Sequence, residues 1–220
     1  VRTRIKICGC TSVEDAELAL DAGADAVGVL LAEASPRRIS MHALHRIAAA
    51  LPALIPLVAV FVDPPSGLVD EALKVGATPQ FHGFEDAESC EHFAAGPYLK
   101  AYHLRADHPV TPAEFAAFAR PYAHATWLFD TAGADGRSGG TGRTFDWTLA
   151  RELAGDRRFA ISGGLTPENV GDCVRAVRPY AVDVRSGVET DGRKDPDKVR
   201  AFVRAVRAAD ASAADALFSR

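Results

Sequence analysis

Two hydrophobic periods alternate along the chain from end to end. Short apolar runs fall at 4–8, 26–31, 56–62, 79–83, 98–104, 125–130, 158–162 and 180–185. They are brief, many are rich in Val, Ile, Leu or aromatic residues, and they are spaced like parallel strands joined by crossovers. The segments between them carry the helical period and several helix-start signals. Thr11 with Glu14 and Thr111 with Glu114 have capping-box spacing, in which each side chain bonds the other residue's backbone N–H. Pro112, Pro167 and Pro196 follow Thr111, Thr166 and Asp195, as first-turn prolines follow caps. Gly23 and Gly76 are predicted helix stops. Eight strand-then-helix units account for nearly the whole chain and predict one α/β domain, a single (β/α)8 barrel of the TIM type over residues 1–209. A C-terminal tail, 210–220, is small and polar enough to fray, although Leu217 and Phe218 can dock. A doubly wound open sheet shares the local pattern; the count of eight favours closure.

Composition narrows the function classes. The 220 residues are 48% apolar and 25% charged, and 25 Lys and Arg against 29 Asp and Glu leave a net charge of -4. With no basic block, a nucleic-acid partner is not expected. The most apolar stretch, Ile47 to Val62, is broken by Pro52 and Pro56 and is too short for a membrane span. It reads as a helix end and a buried strand. The opening VRTRIKICGC has no apolar core of a secretory signal. Cys8, Cys10, Cys90 and Cys173 form neither a disulfide framework nor the paired spacing of a zinc site. The expectation is a cytoplasmic protein with free thiols and no metal.

In such barrels chemistry sits at the C-terminal ends of the strands. There the sequence places Cys8-Gly9, Ser35-Pro36-Arg37, His82-Gly83, Asp130, Ser162-Gly163-Gly164, and Asp183 with Arg185-Ser186-Gly187. Three glycine clusters, SGGTG (138–142), SGG (162–164) and SGVE (186–189), supply N–H groups that a ligand can approach closely. Two of them follow the last two strands, the usual phosphate position. Cys8 is a candidate base or an inert buried thiol. Lys6 shares its face by alternation, and either supports a thiolate or fills the barrel. Cys10 reads as structural. Asp130 ends the run WLFD and is the best general acid, or else a loop cap. Asp183 shares a face with Arg185 and reads as an ion-pair partner or an orienting group. His82 suits a substrate contact, proton shuttling, or plain packing. Arg37 suits a carboxylate by a two-pronged contact, and Arg38 is its surface alternative. Lys6 and Lys100 leave room for amine chemistry of the lyase or aldolase kind. A phosphosugar-binding protein without catalysis would need neither Cys8 nor Asp130.

Together these residues resemble the phosphoribosylanthranilate isomerase family of tryptophan biosynthesis. The matching segments are KICGCT (6–11), GADAVGV (23–29), SPRRIS (35–40), VAVFVD (58–63), QFHG (80–83), FD (129–130), GGTGRTFDW (139–147), SGGLTPENV (162–170) and DVRSGVETDGRKD (183–195). The resemblance implies an Amadori rearrangement of a phosphoribosylamine, without metal or organic cofactor. It implies Cys8 as base and Asp130 as acid, and Arg37 on the anthranilate carboxylate. The phosphate cradle would be formed by Gly140, Thr141, Gly142, Gly163, Gly164, Ser186 and Gly187, with His82 and Asp183 lining the pocket. It implies a small-molecule substrate and leaves the assembly as monomer or homodimer. Three positions depart from the family: Arg185 stands where a small polar residue is usual, Leu30 and Leu31 where an aromatic is common, and Phe81 where Leu is usual. A diverged member acting on another phosphosugar is the alternative reading.

Overall fold

The computed structural model describes residues 2–94, 96–104, 109–131 and 145–218, the side chains of 213–218 excepted. Eight parallel strands close into a barrel in chain order: β1 (Arg4–Ile7), β2 (Ala26–Leu30), β3 (Leu57–Phe61), β4 (Thr78–Phe81), β5 (Tyr98–Leu104), β6 (Ala125–Thr131), β7 (Phe159–Ile161) and β8 (Ala181–Val184). Closure is made by β1 on β8, with Lys6 opposite Asp183. The crossovers are α1 (Val13–Asp21), α2 (Met41–Ala50), α3 (Ser66–Lys74), α4 (Ala87–Ala94), α5 (Pro112–Ala119), α6 (Trp147–Ala154) and α7 (Val170–Val177). After β8 come a 3-10 turn over Ser186–Val188 and a two-stranded ribbon, β9 (Glu189–Thr190) with β10 (Arg193–Lys194). Then α8 (Pro196–Phe218) completes the ring. The stretch read as a helix end and a strand is α2 and β3, and no described helix is long and apolar enough to cross a membrane.

Strand alternation sorts the barrel into two faces. Ile5, Ile7, Val27, Val29, Phe81, Trp127, Phe129, Val182 and Val184 point outward into the layer under the helices. Leu128, Ala101 and Ala160 fill the interior, as do Cys8, Leu30 and Val60. The outward choice is strongest on β6. Trp127 and Phe129 join Tyr102 and Phe115 in edge-to-face and tilted ring contacts with centroids 4.9–6.3 Å apart. Burying each ring contributes on the order of 2–3 kcal/mol. With those two residues fixed outward, Leu128 and Asp130 have to point into the barrel.

Local signals held with two shifts. Thr111 and Glu114 form the expected capping box, and Pro112 opens α5. Asp195 caps α8 through the N–H groups of Asp197 and Lys198. Gly23 and Gly76 follow α1 and α3 with φ of +97° and +77°. At α1, however, the cap is Ser12, which accepts from Asp15 N–H, while Thr11 donates to the Asp15 carboxylate. Asp15 is thus the reaching acid, not Glu14, and the motif starts one residue later. At α7 the helix begins at Val170. The Thr166 carbonyl accepts from Asn169 and Val170, and the Asn169 side chain accepts from Thr166 N–H. Thr166-Pro167 therefore makes a turn ahead of the helix. The expected start of the tail at 210 falls within α8. Asp210 accepts from Thr3 N–H and hydroxyl, and Arg207 donates to the Thr3 and Gly23 carbonyls.

Candidate active site

The C-terminal end of the barrel gathers the sequence-predicted groups on two walls. On the β1–β8 wall, Lys6 Nζ lies 2.9 Å from Asp183 Oδ1, and both side chains are buried. Asp183 is therefore an ion-pair partner, but of Lys6 across the strand closure rather than of Arg185. Gly28 on β2 makes room for this wall. A Cβ there would lie 2.9 Å from Cys8 Sγ and 3.0 Å from Lys6 Nζ. Cys8 and Lys6 thus crowd over the same backbone. Burial pushes the Cys8 thiol above its ordinary value, and Lys6 opposes that shift. Lys6 itself is held above its ordinary value: burial lowers it, but Asp183 and Cys8 outweigh the burial. Cys10 is fully buried and gives its S–H to the Ile7 carbonyl, as a structural thiol does.

On the β4–β6 wall, Asp130 Oδ1 accepts from the Thr131 N–H at 2.8 Å, and Oδ2 lies 3.0 Å from His82 Nε2. The loop-cap contact and a mouth-facing oxygen are thus both present in one carboxylate. His82 Nδ1 lies 3.1 Å from the side-chain nitrogen of Gln80. Beside Asp130, directly opposite it in the β5–β6 register, stands His103. Its Nε2–H donates to the His82 carbonyl at 2.9 Å. His103 lies outside the sequence-predicted site because nothing local in the β5 sequence marks it above Lys100. Lys100 points the other way, into the helix layer. It bonds Glu85 at 2.9 Å and the Gly83 carbonyl at 2.8 Å, so it is a buried charge partner that pins the loop after His82. That position removes it from the mouth and with it the amine chemistry considered for it.

At the rim, Arg37 makes a two-pronged contact, but with Glu189 of β9, through Nε at 3.0 Å and through Nη2. Glu189 is buried and also bonds Lys194 at 2.8 Å. Burial pushes Glu189 up, yet Arg37 and Lys194 leave it below the usual carboxylate range. Arg37 and Arg185 converge over Gly9. A Cβ on Gly9 would sit 3.0 Å from Arg185 Cγ and 3.5 Å from Arg37 Cδ, and Gly9 has φ +77°. Among the described residues the Arg185 guanidinium has no hydrogen bond or ion pair. Arg38 is the outward neighbour, 3.7 Å from the exposed Glu33.

Two of the three glycine clusters are described. Gly163 and Gly164 follow β7 with φ of +80° and +64°, and a Cβ on Gly163 would lie 2.4 Å from Asp130 Oδ1. Ser186 and Gly187 form the 3-10 turn after β8. A Cβ on Gly187 would lie 1.9 Å from the Leu165 carbonyl oxygen. The two loops therefore touch backbone to backbone, which any larger residue prevents. Gly140, Thr141 and Gly142 lie outside the described residues.

The site's neighbours in sequence space agree with its geometry. Residues 5–205 match the family model described as N-(5′phosphoribosyl)anthranilate (PRA) isomerase. The chain is 46% identical over 209 residues to an N-(5′-phosphoribosyl)anthranilate isomerase of Pseudomonas aeruginosa, covering 93% of this chain and 95% of that one. It is 42% identical over 217 residues to the protein of that name from Bordetella petrii, covering 96% and 97%. Among solved structures it resembles phosphoribosyl anthranilate isomerase from Thermotoga maritima, with TM-score 0.81, 36% identity, and coverage of 94% and 99%. A structure of such an isomerase in complex with reduced 1-(o-carboxyphenylamino)-1-deoxyribulose 5-phosphate matches with TM-score 0.77 and 35% identity, at the same coverage. Monomers of the dimeric Thermotoga maritima enzyme match with TM-score 0.76 and 35% identity, again at that coverage.

Proposed function

This chain belongs to the N-(5′-phosphoribosyl)anthranilate isomerase family, and on that premise we propose that it converts N-(5′-phosphoribosyl)anthranilate to 1-(2-carboxyphenylamino)-1-deoxyribulose 5-phosphate, with Cys8 as base and Asp130 as acid. The observation that carries the assignment is a buried thiol just past the end of β1 and a buried carboxylate near the end of β6, both at the C-terminal mouth of the barrel. A rearrangement of this kind needs one group that starts protonated and another that accepts a proton.

Asp130 gives a proton to the ribose ring oxygen as the C1′–O bond breaks, and the amine lone pair forms the imine. The proton is at hand between Asp130 Oδ2 and His82 Nε2. Cys8 takes the proton from C2′, and the electron pair left behind closes the enolamine. The enolamine gains a proton at C1′ and loses one from the C2′ hydroxyl, which gives the ketone with no net change in atoms. The positive charge of Lys6 beside Cys8 favours the thiolate at the moment it is needed.

Gly163, Gly164, Ser186 and Gly187, with Gly140, Thr141 and Gly142, hold the phosphate through backbone N–H groups. Arg37 keeps its Nε edge on Glu189 and offers the remaining N–H groups to the anthranilate carboxylate. Arg185, Asp183 and His82 complete the substrate contacts. With no carboxylate partner among the described residues, Arg185 adds a second positive charge at the rim, which favours a substrate with two anionic groups. The enzyme needs no cofactor for this chemistry. It is a cytoplasmic enzyme in this reading, since all four cysteines are free and buried, and it works as a monomer or a homodimer.

The test is the loss of substrate fluorescence when phosphoribosylanthranilate is generated in situ. Turnover by the purified chain, together with rescue of a tryptophan auxotroph lacking this step, is expected. No turnover and no rescue would return the chain to another phosphosugar reaction.

A further inference from the structure

We propose that His82, His103 and Asp130 form a site for a divalent transition metal, and that zinc bound there inhibits the enzyme by taking possession of the acid. One ligand atom from each of the three lies within 4.8 Å of the others. They come from three adjacent strand ends, β4, β5 and β6, so the barrel itself brings them together.

The surroundings of each residue suit a metal ligand. A ligating histidine ordinarily gives its second ring N–H to a carbonyl or carboxylate, which fixes the tautomer and aims the lone pair. His103 already does so: Nε2–H donates to the His82 carbonyl, which leaves the lone pair on Nδ1. That Nδ1 is buried and has no hydrogen-bond partner. His82 has the same support in a latent form. Its Nδ1 faces the Gln80 amide, and the Gln80 oxygen Oε1 is buried without a partner. Turning that amide over puts Oε1 onto an Nδ1–H, which satisfies the orphaned oxygen and makes Nε2 a ligand. Asp130 is held by the Thr131 N–H on Oδ1, so Oδ2 is the ligand oxygen.

Two imidazole nitrogens and one carboxylate oxygen select zinc, cobalt, nickel or copper over magnesium or calcium. A tetrahedral zinc holds its ligand atoms about 3.3 Å apart and leaves the fourth position to water, so the three side chains close in by small rotations. On binding, the proton between His82 Nε2 and Asp130 Oδ2 is released to solvent and the metal takes its place. Asp130 then has no proton to give to a ring oxygen.

Binding is tested on the whole metal-free chain, independently of turnover, by zinc calorimetry and by cobalt absorption. One equivalent is expected, with a cobalt spectrum lacking thiolate charge-transfer bands. Gln80→Leu should weaken zinc about 10–100-fold, the usual cost of losing a group that orients a ligand, and His103→Asn should weaken it more. Cys8→Ser should bind as the parent does. Zinc should also shift the imidazole resonances of His82 and His103 in the unaltered protein, a readout that needs no variant to fold. Unshifted resonances overturn the site. So does parental affinity in a natively folded His103→Asn chain, or cobalt thiolate bands that vanish in Cys8→Ser. The inhibition half rests on the isomerase reading: zinc should lower the apparent kcat, and a chelator should restore it. Zinc binding at these residues in a chain without turnover would uphold the site and strike the proposed activity instead.

Discussion

The two walls of the mouth solve the same problem with different physics. On the β1–β8 wall the neighbours of Cys8 are full charges, Lys6 and Asp183, locked together at 2.9 Å in a buried pair. On the β4–β6 wall the neighbours of Asp130 are an imidazole and a backbone N–H. Charges act on a thiol at a distance and need no rearrangement during the reaction. Imidazoles and amides hold a proton in a bond and can pass it on. The wall of the proposed base, Cys8, is thus set by electrostatics, and that of the proposed acid, Asp130, by hydrogen bonding. Removing either proposed reacting group should give the largest effect. Cys8→Ala and Asp130→Asn should each lower kcat by about 10²–10⁴-fold, read by the fluorescence assay, with phosphate binding kept in both. A loss of binding equal to the loss of rate would mean these residues hold substrate rather than move protons.

The second expected effect separates the walls by stability. Lys6→Met leaves the Asp183 charge buried and alone, which costs about 3–5 kcal/mol. His82→Asn removes one hydrogen bond from Asp130 and costs about 1 kcal/mol. Urea midpoints at constant slope measure both. Replacing Lys6 and Asp183 together by apolar residues should recover most of the loss, because the penalty comes from the unpaired charge. Equal costs for Lys6→Met and His82→Asn would erase the distinction between fixed charges and exchangeable hydrogen bonds.

The fixed-charge design extends to the rim, where a third effect is smaller and falls on binding. Glu189→Gln weakens the hold on Arg37 but leaves both reacting groups in place. It should raise KM about tenfold, the order of one charge-assisted bond, with little change in kcat. A drop in kcat of the same size would show that Glu189 acts on the chemistry itself.

Alternation by twos was enough to put Lys6 on the face of Cys8, because each apolar run has one register that buries its outward residues, whereas the pairing of Asp183 with Lys6 rather than with Arg185 depends on how β1 meets β8. The same alternation puts His103 inward, but only the pairing of β5 with β6 shows that it stands next to Asp130. Nothing in YLKAYHL marks the histidine above the lysine. The partner of Arg37 was beyond reach for a simpler reason. Glu189 lies 152 residues away and meets Arg37 only because a ribbon after β8 folds over the mouth. The shifted cap at α1 reflects competition among close neighbours. Thr11 and Ser12 can each cap, and Asp15 lies within reach of both. Gly187 read as a phosphate-loop glycine, whereas its immediate constraint is the Leu165 carbonyl, a contact between two loops that no local pattern encodes.

The smallest effect is a shift along the pH axis, and it distinguishes the walls by sign. Burial pushes the Cys8 thiol above its ordinary value of 9.0, and its two charged neighbours act in opposite directions, Lys6 lowering and Asp183 raising it. The thiolate fraction grows as pH rises, so kcat/KM should climb on an alkaline limb. Asp183→Asn removes a charge that opposes the thiolate and should move that limb to lower pH. Lys6→Met removes the supporting charge and should move it to higher pH. Stability runs the other way in the same range. Cys10, Cys90 and Cys173 are pushed up to about 12 by burial. Above pH 9 the unfolded chain loses thiol protons that the folded chain keeps, so folding weakens progressively toward pH 12. Rates must therefore be taken in short pH jumps, with ellipticity followed in parallel. Opposite displacements in the two variants, seen while the fold is intact, would locate control of the base in the Lys6–Asp183 pair. Displacements of the same sign would mean that the thiol responds to a change in burial instead.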